Sequence, residues 1–571
     1  MAELVPIPLA ALLRRIYHEY TRTGAIFDLP KRKFYLPDSS VDLSVVSCGN
    51  PAANPLGPAA GPHTQLAQNI VLSWLAGARI IELKTVQVND RLELARPCID
   101  VATVGYNTEW SQELRLEDSA REYVKAGMIV EILKDWLFLS GRLAPDHAAS
   151  DMQRMNLATI FDVSVGYDLA GITSEPIRRW LGSMKDASTI IEELRGEIPV
   201  EFEEYRQLPF ASKISDSITL STFHGTPANE IERICGFLME EMGFHVVVKM
   251  NPPMLGRERL EHLLHDTLGY ADIEVNPKAY EVNITFDDAV AMVSRLQSVA
   301  SRSQKSIGVK FGNTLEVINK GVFLKDKVQY LSGQPLHVLH LALVNQWRVV
   351  FGPEFPVSFS AGVDAQNFPD CVAMHLVPTT TCTDLLRPGG YGRMQQYLVN
   401  LEKKMKSVGA ATIDEFIVRS NDAGASAALG TAILDNSAAL LRNSIGNPRY
   451  AAAANAKPPR KIGSHLALWD CINCDKCIPV CPNDANFYFD VEPVSRLYMD
   501  LEITGEGWTE CGGGVFVIAK QHQIGNYADA CNECGNCDVF CPEDGGPYVE
   551  KPRFFGSLES YRSQLRLDGY V

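Results

Sequence analysis

From about residue 40 to residue 440 the chain alternates short apolar runs with longer stretches of helical period. The short runs are Val45-Val46-Ser47, Ile80-Ile81-Glu82-Leu83, Ile160 to Val165, Ile218-Thr219-Leu220-Ser221, His245 to Met250, Ser306 to Lys310, Val357 to Ser360 and Cys371 to His375. They are of strand length and rich in Val and Ile, and polar or small residues bound them. Between them, Thr64 to Gly77, Asp118 to Arg142, Asn229 to Met242 and Asp287 to Arg302 place apolar residues three and four apart, the spacing of an amphipathic helix. Strands alternating with helices over this length predict an α/β fold, a (β/α)8 TIM barrel with insertions. An open doubly wound sheet is the competing arrangement, but no Gly-x-Gly-x-x-Gly follows the first run.

The flanks read differently. Residues 1–40 form a helical extension, with helical periodicity over Leu9 to Tyr17 and Pro30 closing the segment. The barrel is assigned to 41–445, and the Ala- and Leu-rich stretch Ala411 to Ser444 supplies its closing helices. Residues 446–461, Ala-rich and ending in Lys457-Pro458-Pro459-Arg460-Lys461, have the composition of a linker.

Residues 462–571 carry two copies of one cysteine run. Cys471, Cys474, Cys477 and Cys481 precede Pro482, and Cys531, Cys534, Cys537 and Cys541 precede Pro542. Each copy reads C-x2-C-x2-C-x3-C-P, the spacing that holds a [4Fe-4S] cubane in bacterial-type ferredoxins. Zinc also uses C-x2-C pairs, but a four-cysteine run with a trailing proline, occurring twice, favours iron–sulfur. The prediction is a C-terminal 2[4Fe-4S] ferredoxin-like domain. In such dicluster domains the fourth cysteine of each run ligates the other cluster. Cys471, Cys474, Cys477 and Cys541 are therefore expected to share one cluster, and Cys531, Cys534, Cys537 and Cys481 the other. The apolar run Gly514 to Ala519 between the motifs predicts an extra hairpin, with Cys511 as a loop thiol or an additional ligand.

Composition narrows the function classes. A net charge of −16 argues against nucleic acid or an anionic membrane as partner. No run of eighteen uncharged apolar residues predicts a membrane span, and the first residues lack the pattern of a secretory signal. Six of the 14 cysteines lie outside the two motifs without disulfide-like spacing, which with cubane clusters suits a reducing cytoplasm.

In a barrel, chemistry belongs at the carboxyl ends of the strands. There the sequence places a small-residue loop containing Ala59 and Ala60, then Lys84-Thr85, His224-Gly225, Lys249, Asn313-Thr314, Ser360-Ala361-Gly362 and Arg387 to Tyr391. Two lysines among small loops and amides suit an anionic planar cofactor, FMN. A lysine beside the ring would stabilise its reduced form, and late glycine loops would receive the phosphate. His224 is the candidate acid, with a helix-capping role as the alternative. His63 and His375 are further candidates for the mouth, or buried and hydrogen-bonded.

Several stretches resemble a known family. Gly57 to Ile70, Glu82-Leu-Lys-Thr-Val, Asn107-Thr-Glu-Trp, Ser164-Val-Gly-Tyr, Leu220-Ser-Thr-Phe-His-Gly, Val248-Lys-Met-Asn-Pro and Leu386-Arg-Pro-Gly-Gly-Tyr are similar to the "putative selenate reductase iron–sulfur subunit" family. Its barrel is like that of the dihydropyrimidine and dihydroorotate dehydrogenases. The resemblance implies flavin contacts from Lys84, Thr85 and Lys249, and flavin or substrate contacts from Asn107, Ser221, Asn313 and Thr314. Ser360 and Gly362 fall in the phosphate loop, which reads Ser-Ala-Gly-Val where many relatives have Gly-Gly. The catalytic loop cysteine of the pyrimidine enzymes has no counterpart. Longer members insert an FAD- and NADPH-binding module between barrel and ferredoxin, where this chain has only the linker. The resemblance thus implies a redox partner subunit and a small-molecule substrate. Two functions compete: an oxidoreductase whose barrel FMN exchanges electrons with two clusters, and a non-catalytic electron-transfer or scaffold subunit with a flavin-free barrel.

Overall fold

The computed structural model describes residues 4–89, 94–108, 111–143, 157–221, 226–420, 427–505, 507–564 and 567–571. Eight strands, β1 (Leu56–Pro58), β2 (Ile80–Glu82), β3 (Ile160–Val165), β4 (Ser217–Leu220), β5 (His245–Met250), β6 (Ile307–Phe311), β7 (Val357–Phe359) and β8 (Thr379–Thr381), form one parallel sheet in sequential order, with β1 beside β8. The last gap is narrowed where the Arg79 amide donates to the Leu56 carbonyl at 2.9 Å. Gly57 permits that approach, since a β-carbon there would lie 1.5 Å from the Ile80 carbonyl oxygen. The result is a nearly closed eight-stranded barrel.

Six strands fall where the apolar runs predict them; the first and last do not. Val45–Ser47 pairs antiparallel with Asn50–Ala52 in a separate hairpin. The true β1 is Leu-Gly-Pro, whose glycine and proline hide it from propensity. Cys371 to His375 belongs largely to the helix Phe368–Ala373. The true β8 is three threonines, all buried, each hydroxyl donating: Thr379 to the Leu376 carbonyl, Thr380 to the Glu82 carboxylate, Thr381 to the Val363 carbonyl. A strand whose buried side chains are polar but satisfied escapes a hydrophobic pattern.

The helices Ala67–Leu75, Leu116–Leu133, Ala228–Gly236 and Phe286–Ser303 occupy the predicted amphipathic stretches. Phe286–Ser303 opens on a capping box, Thr285 and Asp288 each bonding the other's backbone amide. The N-terminal helix Leu9–Thr23 buries Leu9, Leu12, Leu13 and Ile16 and ends at Gly24 with φ +70°. Insertions after β2 and after β6 meet to make a four-stranded antiparallel sheet, from Ile99–Asp100 and Gly105–Asn107 on one side to Val328–Ser332 and Leu315–Ile318 on the other.

After the barrel, Tyr450 is buried and stacked on His337, with Arg449 paired to Asp364. The C-terminal region builds a three-stranded sheet from Asn486–Asp490, His522–Tyr527 and Arg553–Phe554. The apolar run between the cysteine motifs does form a hairpin, Val494–Thr504 against Gly507–Ile518. Cys511 is exposed upon it. No helix among the described residues is long and apolar enough to cross a membrane.

Candidate functional site

A cavity of about 550 Å³ opens at the carboxyl ends of the barrel strands. Ala59, Ala60, Lys84, Thr85, Asn107, Ser221, Lys249, Asn313, Thr314, Ser360 and Gly362, the eleven positions singled out from sequence, all line it. His224 lies outside the described residues. His63 is buried instead behind the cavity, edge-on to Tyr391, and His375 sits at the end of the helix Phe368–Ala373 with φ +53°. Neither lines the cavity.

Three lysines define its charge. Lys84 follows β2, Lys249 lies on β5 and Lys310 on β6. Burial lowers Lys84 to about 8, against the pull of Glu113. Lys249 is likewise held at about 8 by burial, helped by repulsion from Lys310 and Lys84. Lys310 is paired with Glu82, whose carboxylate also accepts from the Ala60 amide at 3.1 Å and the Thr380 hydroxyl at 3.2 Å. Three ammonium groups converge here on the engaged Glu82 carboxylate, with the exposed Asp326 also on the lining, so the cavity keeps a positive excess that favours an anion.

Replacing Glu82 by glutamine is expected to destabilise the barrel by about 3–5 kcal/mol, because it leaves Lys310 buried without its counter-charge. Chemical denaturation measures this directly. The double variant Glu82→Met/Lys310→Met is expected to recover most of the loss.

The polar lining is held in place by its neighbours. The Thr85 and Ser164 hydroxyls are 2.8 Å apart, the Asn313 amide donates to Asn251, and the His340 ring is 2.8 Å from the Asn313 carbonyl. On the opposite wall the backbone comes close to the cavity at several glycines. A β-carbon on Gly312 would lie 1.9 Å from the Ser360 hydroxyl, and one on Gly362, at φ +54°, would lie 2.5 Å from the Gly333 carbonyl. That wall presents main chain and hydroxyls, a surface that suits a phosphate.

Sequence reasoning missed the residues that cross from the inserted sheet: Ile99, Val101, Tyr106, Tyr330 and Ser332. It also missed Lys310 and Cys382. Lys310 reads as an ordinary strand lysine, and only its alternation with Val309 and Phe311 hints that it points inward.

Cysteines of the two runs lie near one another. The electrostatic neighbours of Cys477 are Cys541, Cys471 and Cys474, and burial is the larger cause that raises its thiol. The Cys537 thiol feels the charges of Cys481, Cys531 and Cys477, and that of Cys534 those of Cys98, Cys481 and Cys537. Cys481, Cys531, Cys534 and Cys537 line one small cavity together. Among the described residues no group is arranged to hold a single metal ion. A cubane, a cage of four irons, keeps its thiolates farther apart than a mononuclear site does, so these cysteines and the enclosed space fit a cluster. Cys474 is exposed beside the buried Cys471, Cys477 and Cys541, whereas in the other quartet Cys534 and Cys537 are buried and Cys481 and Cys531 partly so.

The cysteine-rich module packs on the barrel mouth. The Cys534 carbonyl accepts from the amides of Cys98 and Ile99, both at 3.0 Å. The Asn536 amide donates to the Leu386 carbonyl at 2.8 Å, and the Tyr391 hydroxyl to the Pro482 carbonyl at 2.5 Å. The loop Arg387 to Tyr391 therefore serves docking: Gly390 lies against Pro479, where a β-carbon would lie 1.9 Å from its carbonyl oxygen. Ile99 and Leu386 each touch both the module and the cavity.

A parallel eight-stranded barrel with its cavity at the strand carboxyl ends places this chain in the TIM-barrel class. Residues 27–428 match the family described as "Oxidoreductase YgfK, N-terminal TIM-barrel domain", and the chain belongs to that family. Two curated relatives, each named "Putative oxidoreductase YgfK", come from Escherichia coli K12 and O157:H7. Each is 36% identical over 416 residues, covering 70% of this chain and 39% of the relative. The chain thus spans about two fifths of the length of the curated relatives it matches. A solved structure of ligand-free type DHODH from Eimeria tenella aligns with a TM-score of 0.42 and 13% identity, over 72% of this chain and 99% of its own.

Proposed function

We propose that this chain is an oxidoreductase subunit that binds FMN in the barrel and two [4Fe-4S] clusters in a ferredoxin-like module. When bound, the flavin supplies the junction between two-electron substrate chemistry and the one-electron chemistry of clusters. Lys84 and Lys249 bring positive charge to the electron-rich ring, and Thr85, Asn107, Ser221, Asn313 and Thr314 offer hydroxyls and amides to its polar edges. Ala59 and Ala60 leave room for a flat ring. Ser360 and Gly362, with Gly333 behind them, receive the phosphate.

The observation that carries this reading is the contact of Ile99. Its amide bonds the Cys534 carbonyl, and the same residue walls the cavity. Cys481, Cys531, Cys534 and Cys537 therefore hold the cluster proximal to the flavin. Cys471, Cys474, Cys477 and Cys541 hold the distal one, with Cys474 exposed toward a partner. An FAD- or NAD(P)H-binding partner, or another electron carrier, exchanges electrons with the distal quartet. Selenate, a purine and a pyrimidine-like ring are the candidate substrates that the family likeness supplies.

The test is the cofactor content of anaerobically purified protein. Broad cubane absorption, iron for two cubanes and one equivalent of flavin released on denaturation are expected. Iron without flavin would replace this reading with the electron-transfer or scaffold subunit, and neither would remove both.

A further inference from the structure

Glu113 stands where the barrel mouth meets the cysteine-rich module, and it is bonded from both sides. Its carboxylate accepts from the Gln65 side-chain amide at 3.0 Å and the Asn532 side-chain amide at 2.8 Å, and it pairs with the Arg96 guanidinium. Gln65 ends the turn Pro62–Thr64, whose Pro62 lines the cavity, and Asn532 lies between Cys531 and Cys534 of the proximal quartet. The other arm of Arg96 donates to the Cys98 sulfur at 2.7 Å, and the Cys98 amide bonds the Cys534 carbonyl. Toward the cavity, Lys84 lies in the field of Glu113. Each charge of the pair thus reaches the quartet through a single intervening residue. The Arg96 side chain is 13% exposed and that of Glu113 5%, and Gln65 and Asn532 are buried.

A buried ion pair is a weak fastener, because desolvating two charges offsets most of their attraction and an apolar pair of similar volume holds an interface as well. What it supplies is fixed charge in a place where water and salt screen little. The potential of an iron–sulfur cluster responds to such charge, since reduction adds one electron to a thiolate-bound cage that is already anionic. We propose that Arg96 and Glu113 set the reduction potential of the cluster held by Cys481, Cys531, Cys534 and Cys537. The guanidinium stabilises the reduced cluster and the carboxylate opposes it. This rests on the reading of those four cysteines as ligands of a cluster proximal to the flavin. The step concerned is the transfer of one electron from the distal cluster to the proximal one, and from there to the flavin. Arg96 favours arrival of that electron on the proximal cluster, and Glu113 favours its release.

The test is an anaerobic redox titration of the full chain with both clusters loaded, the potential of the proximal cluster being read by electron paramagnetic resonance. Glu113→Gln, which removes a negative charge at almost constant shape, is expected to raise that potential, and Arg96→Gln to lower it. Each shift is expected to be a factor of about ten in the one-electron equilibrium constant, or ~59 mV. Arg96→Gln/Glu113→Gln is expected to return most of the way to wild type, and Arg96→Lys, which keeps the charge, to stay near it. Iron content and the far-UV spectrum show that each variant keeps its clusters and its fold. Unmoved potentials, or shifts of the same sign in the two single variants, would overturn the proposal. So would loss of the proximal cluster from both with iron restored in the double variant, which would make the pair a structural fastener. A wild-type chain that holds no cluster would instead overturn the ligand reading on which the proposal stands.

Discussion

Replacing Cys537 by serine is expected to halve the iron content and melt the C-terminal module ahead of the barrel. Cys537 is buried in the quartet with Cys481, Cys531 and Cys534, so a missing thiolate cannot be replaced by solvent without opening the module. Ligands preorganised by metal return their binding energy as folding energy, about 10–16 kcal/mol for a structural zinc site. That is comparable to the whole stability of a domain, about 5–15 kcal/mol. Calorimetry should therefore show a low-temperature transition split from that of the barrel. Cys474→Ser is expected to be milder, because that position is exposed and belongs to the distal quartet. Full iron and a single unshifted transition in Cys537→Ser would refute the ligand assignment.

The second large effect is expected at Lys84. Its removal should weaken flavin binding roughly 10- to 150-fold, the value of one charged hydrogen bond of about 1.5–3 kcal/mol, and leave the iron content unchanged. Equilibrium dialysis or fluorescence of retained flavin measures it. Normal flavin occupancy would move the site elsewhere. The same lysines predict a pH dependence. In the flavin-free chain Lys84 and Lys249 lose their protons near pH 8, against an ordinary value of 10.5. Between those values the unfolded chain binds more protons than the folded one, so their contribution to stability rises with pH from about 8 to 10.5. Flavin affinity should move the opposite way and fall above pH 8 as the attracting charge is lost.

Much of this arrangement is legible in the chain itself, and the exceptions have physical causes. Strands rich in Val, such as Val246 to Met250, announce themselves by composition. β1 and β8 do not, because their burial is spent on glycine, proline and satisfied threonines. The strand-end rule alone places Lys84, Lys249 and Asn313 at one mouth. It is silent on Tyr106 and Tyr330, which come from strands three and five residues long. Those strands lie more than two hundred residues apart in sequence and pair with each other, and no local pattern encodes such a pairing. The docking of Cys534 against Ile99 is not legible, because it depends on a surface contact between two modules.

That contact carries the central claim, that the barrel cavity and the proximal quartet exchange electrons within one chain. Rapid mixing of the anaerobic, oxidised protein with a one-electron protein reductant, too large to enter the barrel cavity, tests it most directly. The account predicts that cluster bleaching is followed by flavin reduction at a rate independent of protein concentration, and that Cys537→Ser abolishes the second phase. Flavin reduction that depends on protein concentration, or that survives the loss of the proximal cluster, would contradict it.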